Sequence, residues 1–238
     1  MTEKNEKEKM DAIRDKVQQL ITIESRINHN VGNFMSDKSS EYYRRFTDPS
    51  EVNDWAQKYY GRFLNNQEAP IYKKIYEYTG NSYYPINMAL RNLPEVDEED
   101  AKKYARESYW EYLDDAKMIR QYIEEYILPE NIVAYRYISL QGLKGLFGSY
   151  FCWKGREGKD KGFMSTSLLK SCAQNFTQKD GIGLILKLFI PSGTHALYAS
   201  QDNYGNNLLR EYELLLPPRM KLKVRKNRWR MIECDVIE

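Results

Sequence analysis

Histidine and cysteine are scarce in this chain of 238 residues, with two of the former (His29, His195) and three of the latter (Cys152, Cys172, Cys234). No CxxC or HxxxH spacing links them, which argues against a disulfide framework and a structural zinc site. Catalysis by a thiol or a Ser-His-Asp set has little to draw on, since only two histidines are available as base. Long apolar runs are also missing. A membrane span needs about 20 apolar residues, and the longest stretch here, 183–191, is interrupted by Lys187. The first residues, MTEKNEKEKMDAIRDK, are charged where a signal peptide is apolar, so no Sec-type export is expected. Nor does one sign of charge dominate. Thirty-six Lys+Arg against 34 Asp+Glu leave +2, too small an excess for a bulk nucleic-acid binder. What is abundant is tyrosine, 20 residues of it, and 42% hydrophobic with 29% charged residues describes a globular chain and excludes a disordered one.

The first half reads helical. Residues 4–30 lack Gly and Pro and place Ile13, Val17, Leu20 and Ile27 near one face. Asp48-Pro49-Ser50-Glu51 is a strong helix start, with an N-cap Asp, Pro at the first position and Glu at the capping-box position; that helix is expected to stop at Gly61. A helix over 70–78 is expected to end with Gly80 as a left-handed cap, followed by a short helix over 85–92 and one or two helices within 97–128. From residue 131 the period changes. Strands are expected at 131–139, 163–167, 183–190, 194–200, 211–216, 220–224 and 229–236, with a short helix at 168–176 and an irregular glycine-rich stretch at 142–162. Helices first and strands later, without βαβ alternation, indicate an α+β fold. Gly142, Gly145 and Gly148 lack the spacing and context of a dinucleotide fingerprint. The basic run Lys221, Lys223, Arg225, Lys226, Arg228, Arg230 reads first as the solvated face of a hairpin, with a nucleic-acid surface as the minority alternative.

Three groups of residues carry chemistry. Glu211 and Glu213 would share one face of a strand, about 6.5–7 Å apart, either as an exposed face paired with lysines or as an active-site rim led in by the long polar turn over residues 200–207, within a loop that runs on to Arg210. Ser165-Thr166-Ser167 is either a polar strand end and helix cap or part of a site. Arg136 lies amid apolar neighbours in a strand and needs a partner, either a core carboxylate or a bound phosphate.

Taken in order, Arg136, Ser165-Thr166-Ser167 and Glu211-x-Glu213 resemble the arginine–serine–glutamate core of mono-ADP-ribosyltransferase toxins. Tyr78-Thr79-Gly80 and Ile86-Asn87-Met88-Ala89-Leu90-Arg91 match the helical element that precedes it in that superfamily. The likeness covers about residues 45–238 and is similar to the actin-modifying type, the enzymatic components of iota-type binary toxins and the vegetative insecticidal binary toxin. The resemblance implies a helical extension at 1–45 and a catalytic domain at 46–238, in which helices pack on two mostly antiparallel sheets around an NAD cleft. It implies NAD as co-substrate with no metal, and transfer of ADP-ribose to an arginine of a target protein, with actin as the suggested acceptor. A separate delivery component and action in the target cytoplasm are implied too. By match, Glu213 stabilises the ribosyl cation, Glu211 orients and deprotonates the acceptor, and Ser165 holds Glu213 and the ribose. Arg136 grips the phosphates, Tyr78, Asn87 and Arg91 contact NAD, and Gln141 and Phe176 line the adenosine and nicotinamide sides. Tyr137, Gly162 and Lys179 depart from the actin-modifying pattern, which leaves a different acceptor open. The competing expectation is a non-catalytic member that binds a nucleotide or a protein.

Overall fold

The computed structural model describes residues 43–93, 107–180, 183–200, 211–228 and 230–237, except the side chains of 107 and 176–180. The helix expected over 4–30, the start of the one expected over 97–128 and the loop 201–210 lie outside the described residues. The order is α1 (Pro49–Leu64), α2 (Pro70–Glu77), a π-helical turn (Tyr78–Ser82), α3 (Tyr83–Asn92), a 3-10 turn (Glu107–Tyr109), α4 (Trp110–Ile123), β1 (Ile132–Ser139), α5 (Leu140–Phe147), β2 (Glu157–Lys159), β3 (Met164–Ser167), α6 (Lys170–Asp180), β4 (Gly183–Ile190), β5 (Leu197–Tyr198), β6 (Glu213–Leu216), β7 (Lys221–Arg228) and β8 (Met231–Ile237). Helices first and strands later is the α+β order that the sequence predicts.

The strands form an eight-stranded ladder, β2-β7-β8-β4-β1-β3-β6-β5, antiparallel throughout except for the parallel β4–β8 pair. The two sheets of the expectation are joined at β1–β3 by a single registered pair, Tyr135 with Ser167, whereas β1 and β4 pair along eight residues. The candidate site opens at that junction, lined by residues 135–137 of β1 and 165–167 of β3. Against one face of the ladder, Trp55, Tyr60 and Phe63 of α1 and Ile119 and Ile123 of α4 join Ile132, Ala134, Leu186 and Leu188 in a continuous core. Each of the leucine, isoleucine and phenylalanine side chains contributes roughly 1.5–3 kcal/mol when fully buried.

Asp48 caps α1 as its sequence predicts, accepting the Ser50 N–H at 2.7 Å. Gly61 does not end that helix. The ladder continues through Asn65, whose N–H reaches the Gly61 carbonyl at 2.9 Å, because one further turn buries Phe63. Glycine inside a helix costs about 1 kcal/mol, less than that burial returns. Gly80 is not a left-handed cap either. The chain passes through the π-helical turn directly into α3, keeping Tyr78 fully buried. The glycine-rich stretch holds α5, started by Ser139, whose hydroxyl accepts the Gly142 N–H at 3.1 Å, and closed by Gly148 at φ +67°. Leu143, Leu146 and Phe147 form its buried face. The basic run lies on the β7–β8 hairpin, but only part of it is a solvated face: Lys223 is exposed on Glu157 and Arg228 on Glu233, whereas at the bulge between Val224 and Lys226 Arg225 is 15% exposed, paired with Asp235 and laid over Phe189. Among the described residues no helix is long and apolar enough to cross a membrane.

Candidate active site

Three adjacent strands bring the catalytic candidates together. β1 carries Arg136, β3 carries Ser165, and β6 carries Glu213. Ser167 pairs with Glu213 across β3–β6, so Ser165 is the diagonal neighbour of Glu213, within reach of a side-chain contact.

A relay of hydrogen bonds links α3 to the carboxylate. The Phe163 N–H donates to Asn87 Oδ1 at 2.8 Å, which fixes the amide so that Nδ2 donates to the Tyr78 hydroxyl at 3.0 Å. The Ser165 hydroxyl is hydrogen-bonded with both Tyr78 and Glu213 and opposes the rise in pKa that burial gives each. Burial holds the Tyr78 phenol far above its ordinary range. Burial likewise raises the Glu213 carboxyl from 4.5 to about 7; Glu211 adds to the rise, while the Ser165 bond and the Arg136 charge oppose it. A carboxyl only 5% exposed and poised near neutrality is a strong mark of a working group.

The two glutamates do not sit on one strand face as their spacing predicts. β6 begins at Glu213, and Tyr212 adopts φ +46°, a left-handed conformation uncommon for a bulky residue. Ser167 holds that turn, donating to the Glu211 carbonyl at 2.5 Å and accepting the Leu169 N–H at 3.1 Å, while the Leu168 N–H donates to the Tyr212 carbonyl. Tyr212 is buried in the core and Glu211 is exposed. Turn geometry, not strand alternation, thus carries Glu211 back to the cleft. The Ser-Thr-Ser element combines its open readings: Ser165 serves the cleft, Thr166 donates to the Leu214 carbonyl, and Ser167 is the turn holder.

Arg136 finds a carbonyl and a carboxylate. Its Nη1 donates to the Ser165 carbonyl at 3.2 Å, and Nη2 lies 3.7 Å from Asp160. Asp160 also takes a two-pronged bond from Arg91, Nε and Nη2 each at 3.0 Å. Sequence reasoning missed Asp160, since a lone acid between Lys159 and Lys161 matches no motif or period. Next to it, Gly162 approaches α3 so closely that an added Cβ would stand 2.5 Å from Asn87 Oδ1 and 3.2 Å from Arg91 Nε. Gly162→Ala is therefore expected to lower unfolding stability by about 1–3 kcal/mol, read by urea denaturation; an unchanged midpoint would mean that α3 yields freely.

Two cavities meet at the glutamates. One, about 350 Å³, is lined by Asn87, Arg91, Arg136, Ser165 and Tyr83; the other, about 490 Å³, by Tyr76, Glu77, Asn81 and Ser200. Thr79, Gly80, Glu211 and Glu213 line both. The π-helical turn thus forms a shared wall, consistent with the frequency of such bulges at functional sites.

Residues 52–233 match the family described as ADP-ribosyltransferase exoenzyme. The chain belongs to that family. The fold agrees with solved structures of ADP-ribosylating toxins. C3stau2 from S. aureus, solved with NAD, is 19% identical at a TM-score of 0.57, the alignment covering 83% of this chain and 99% of that one. The C3 exoenzyme of Clostridium limosum is also 19% identical, at 0.59, over 82% and 98%. BECa, the ADP-ribosylating toxin of a binary enterotoxin of C. perfringens solved with NADH, is 21% identical at 0.60, over 82% of this chain and 50% of its own. No curated protein matches the sequence significantly.

Within this ADP-ribosyltransferase, Asn87, Arg91, Arg136, Ser165, Glu211 and Glu213 line one cavity. Tyr78 does not contact that space as expected; its ring is fully buried and lines neither cavity, so it meets the site only from behind, through Asn87 and Ser165. Gln141 does not join them; it is exposed on the first turn of α5 and lines neither cavity. The α5 helix, absent from the strand-and-loop expectation, carries it elsewhere. Phe176 and Lys179 fall on α6, with side chains outside the described residues.

Proposed function

We propose that this protein transfers ADP-ribose from NAD to an arginine of a target protein and releases nicotinamide. The observation that carries the proposal is the pair of cavities sharing Glu211 and Glu213 as a common wall. Arg136 and Arg91 offer guanidinium donors to the dinucleotide phosphates in the first cavity. Glu213, with Ser165 bonded to it, stands beside the nicotinamide ribose and offsets the positive charge that develops on the sugar as the C1′–N bond breaks. Nicotinamide departs as a neutral molecule from a cationic ring, so no general acid is needed, and among the described residues neither cavity is lined by histidine. The acceptor enters through the second cavity. Its guanidinium, with a pKa above 12, becomes nucleophilic only when an anion orients it and takes its proton as the new N–C1′ bond forms. Glu211, exposed and lining both cavities, supplies that anion. Actin is the acceptor to test first, on resemblance to actin-modifying toxins, and the place of action is the cytoplasm of a target cell reached after secretion or injection.

The test separates donor cleavage from transfer. Purified protein should release nicotinamide from NAD and label agmatine or a polyarginine acceptor but not an asparagine peptide. Glu211→Gln should lose roughly a hundredfold or more of the transfer to agmatine while nicotinamide release by water persists. Transfer that survives Glu211→Gln would remove the arginine assignment, and no nicotinamide release with any acceptor would favour a binding protein on the same fold.

A further inference from the structure

Both cleft arginines converge on Asp160, a carboxylate with no part in the chemistry above. Asp160 cannot easily move. Its N–H donates to the Met220 carbonyl at 3.1 Å, its carbonyl accepts the Arg219 N–H at 2.7 Å, and Oδ1 also accepts the Gly162 N–H at 3.0 Å. From that fixed point it engages Arg91 of α3 through two donors and Arg136 of β1 through one longer contact. Arg91 and Arg136 line the 350 Å³ cavity and Asp160 does not, so the acid sits behind the guanidinium groups and they face the space. The arginine side chains are 40% and 18% exposed and that of Asp160 only 11%.

We infer that Asp160 is a positioning residue for the ADP-ribose donor, holding Arg91 and Arg136 in the orientation that receives its phosphates; this rests on the NAD chemistry proposed above. Each arginine keeps free donors. Of the five N–H groups in a guanidinium, the fork takes two from Arg91. An arginine as exposed as Arg91 would otherwise sample many rotamers in water and lose that freedom on binding, which weakens affinity. The fork removes this loss before the ligand arrives.

The experiment is steady-state nicotinamide release with NAD varied, beside calorimetric NAD binding, on the intact protein. Asp160→Asn and Arg91→Lys should each raise KM and Kd for NAD about tenfold and leave kcat within about twofold, because neither touches the reacting carbon. Asp160→Glu should recover part of the loss. The loss in the double variant should fall well short of the product of the two single effects, since both break the same fork. A fully multiplicative loss would mean that the two residues act independently and would overturn the inference. A KM for Asp160→Asn equal to or below that of the parent overturns the inference, because the acid would then be idle or a competitor for the arginines. A fall confined to kcat overturns it as well. Parent protein that binds no NAD sinks the proposed function and this inference together, whereas normal turnover with an unshifted KM in Asp160→Asn sinks the inference alone.

Discussion

Glu213→Gln should reduce nicotinamide release about a thousandfold and, above pH 7, make the fold more stable. Activity falls because the amide cannot offset charge on the ribose. The stability gain follows from the raised carboxyl. Ordinarily it titrates at 4.5, but in the folded protein at about 7, chiefly through burial. Between those values the folded protein holds a proton that the unfolded chain has released, so the stability contribution of Glu213 declines as pH rises from about 4.5 and is fully lost above about 7. The difference amounts to roughly 3 kcal/mol, which Gln does not incur. Thermal unfolding at pH 8 should place the variant several degrees above the parent, with the gap closing toward pH 4. In the parent, kcat/KM should climb with pH through about 7 as the carboxylate forms. A flat profile from pH 6 to 8, or a variant less stable at pH 8, would contradict the role given to the buried acid.

Arg136→Gln should raise KM for NAD roughly a hundredfold, an effect of about 3 kcal/mol, in line with removing one partner of a buried charged contact. The guanidinium is 18% exposed, bonded to the Ser165 carbonyl and near Asp160. Its loss takes away phosphate donors and leaves both neighbours with one partner fewer. Arg136→Lys keeps the charge but not the planar fork and should fall between parent and Gln. Calorimetric titration with NAD provides the measurement; equal affinity in all three proteins would place the phosphates elsewhere.

The residues of the site, a charged Arg136 in an apolar strand, a Ser-Thr-Ser strand and paired glutamates, were legible through their order along the chain, which resembles the arginine–serine–glutamate core, whereas each motif alone kept a plain packing reading open. The helix start at Asp48 was equally plain, since capping depends on four adjacent residues. Chain order and the change of period at residue 131 determined the α+β class. Tertiary packing decided the rest. Gly61 and Gly80 were expected to end helices by propensity, yet burial of Phe63 and Tyr78 outweighed about 1 kcal/mol of glycine cost. Strand alternation was expected to align Glu211 with Glu213, but a left-handed Tyr212 held by Ser167 sets their relation. Asp160 had no sequence signal at all, because its role arises only where a helix, a strand and a loop, distant along the chain, place Arg91, Arg136 and a carboxylate within bonding distance.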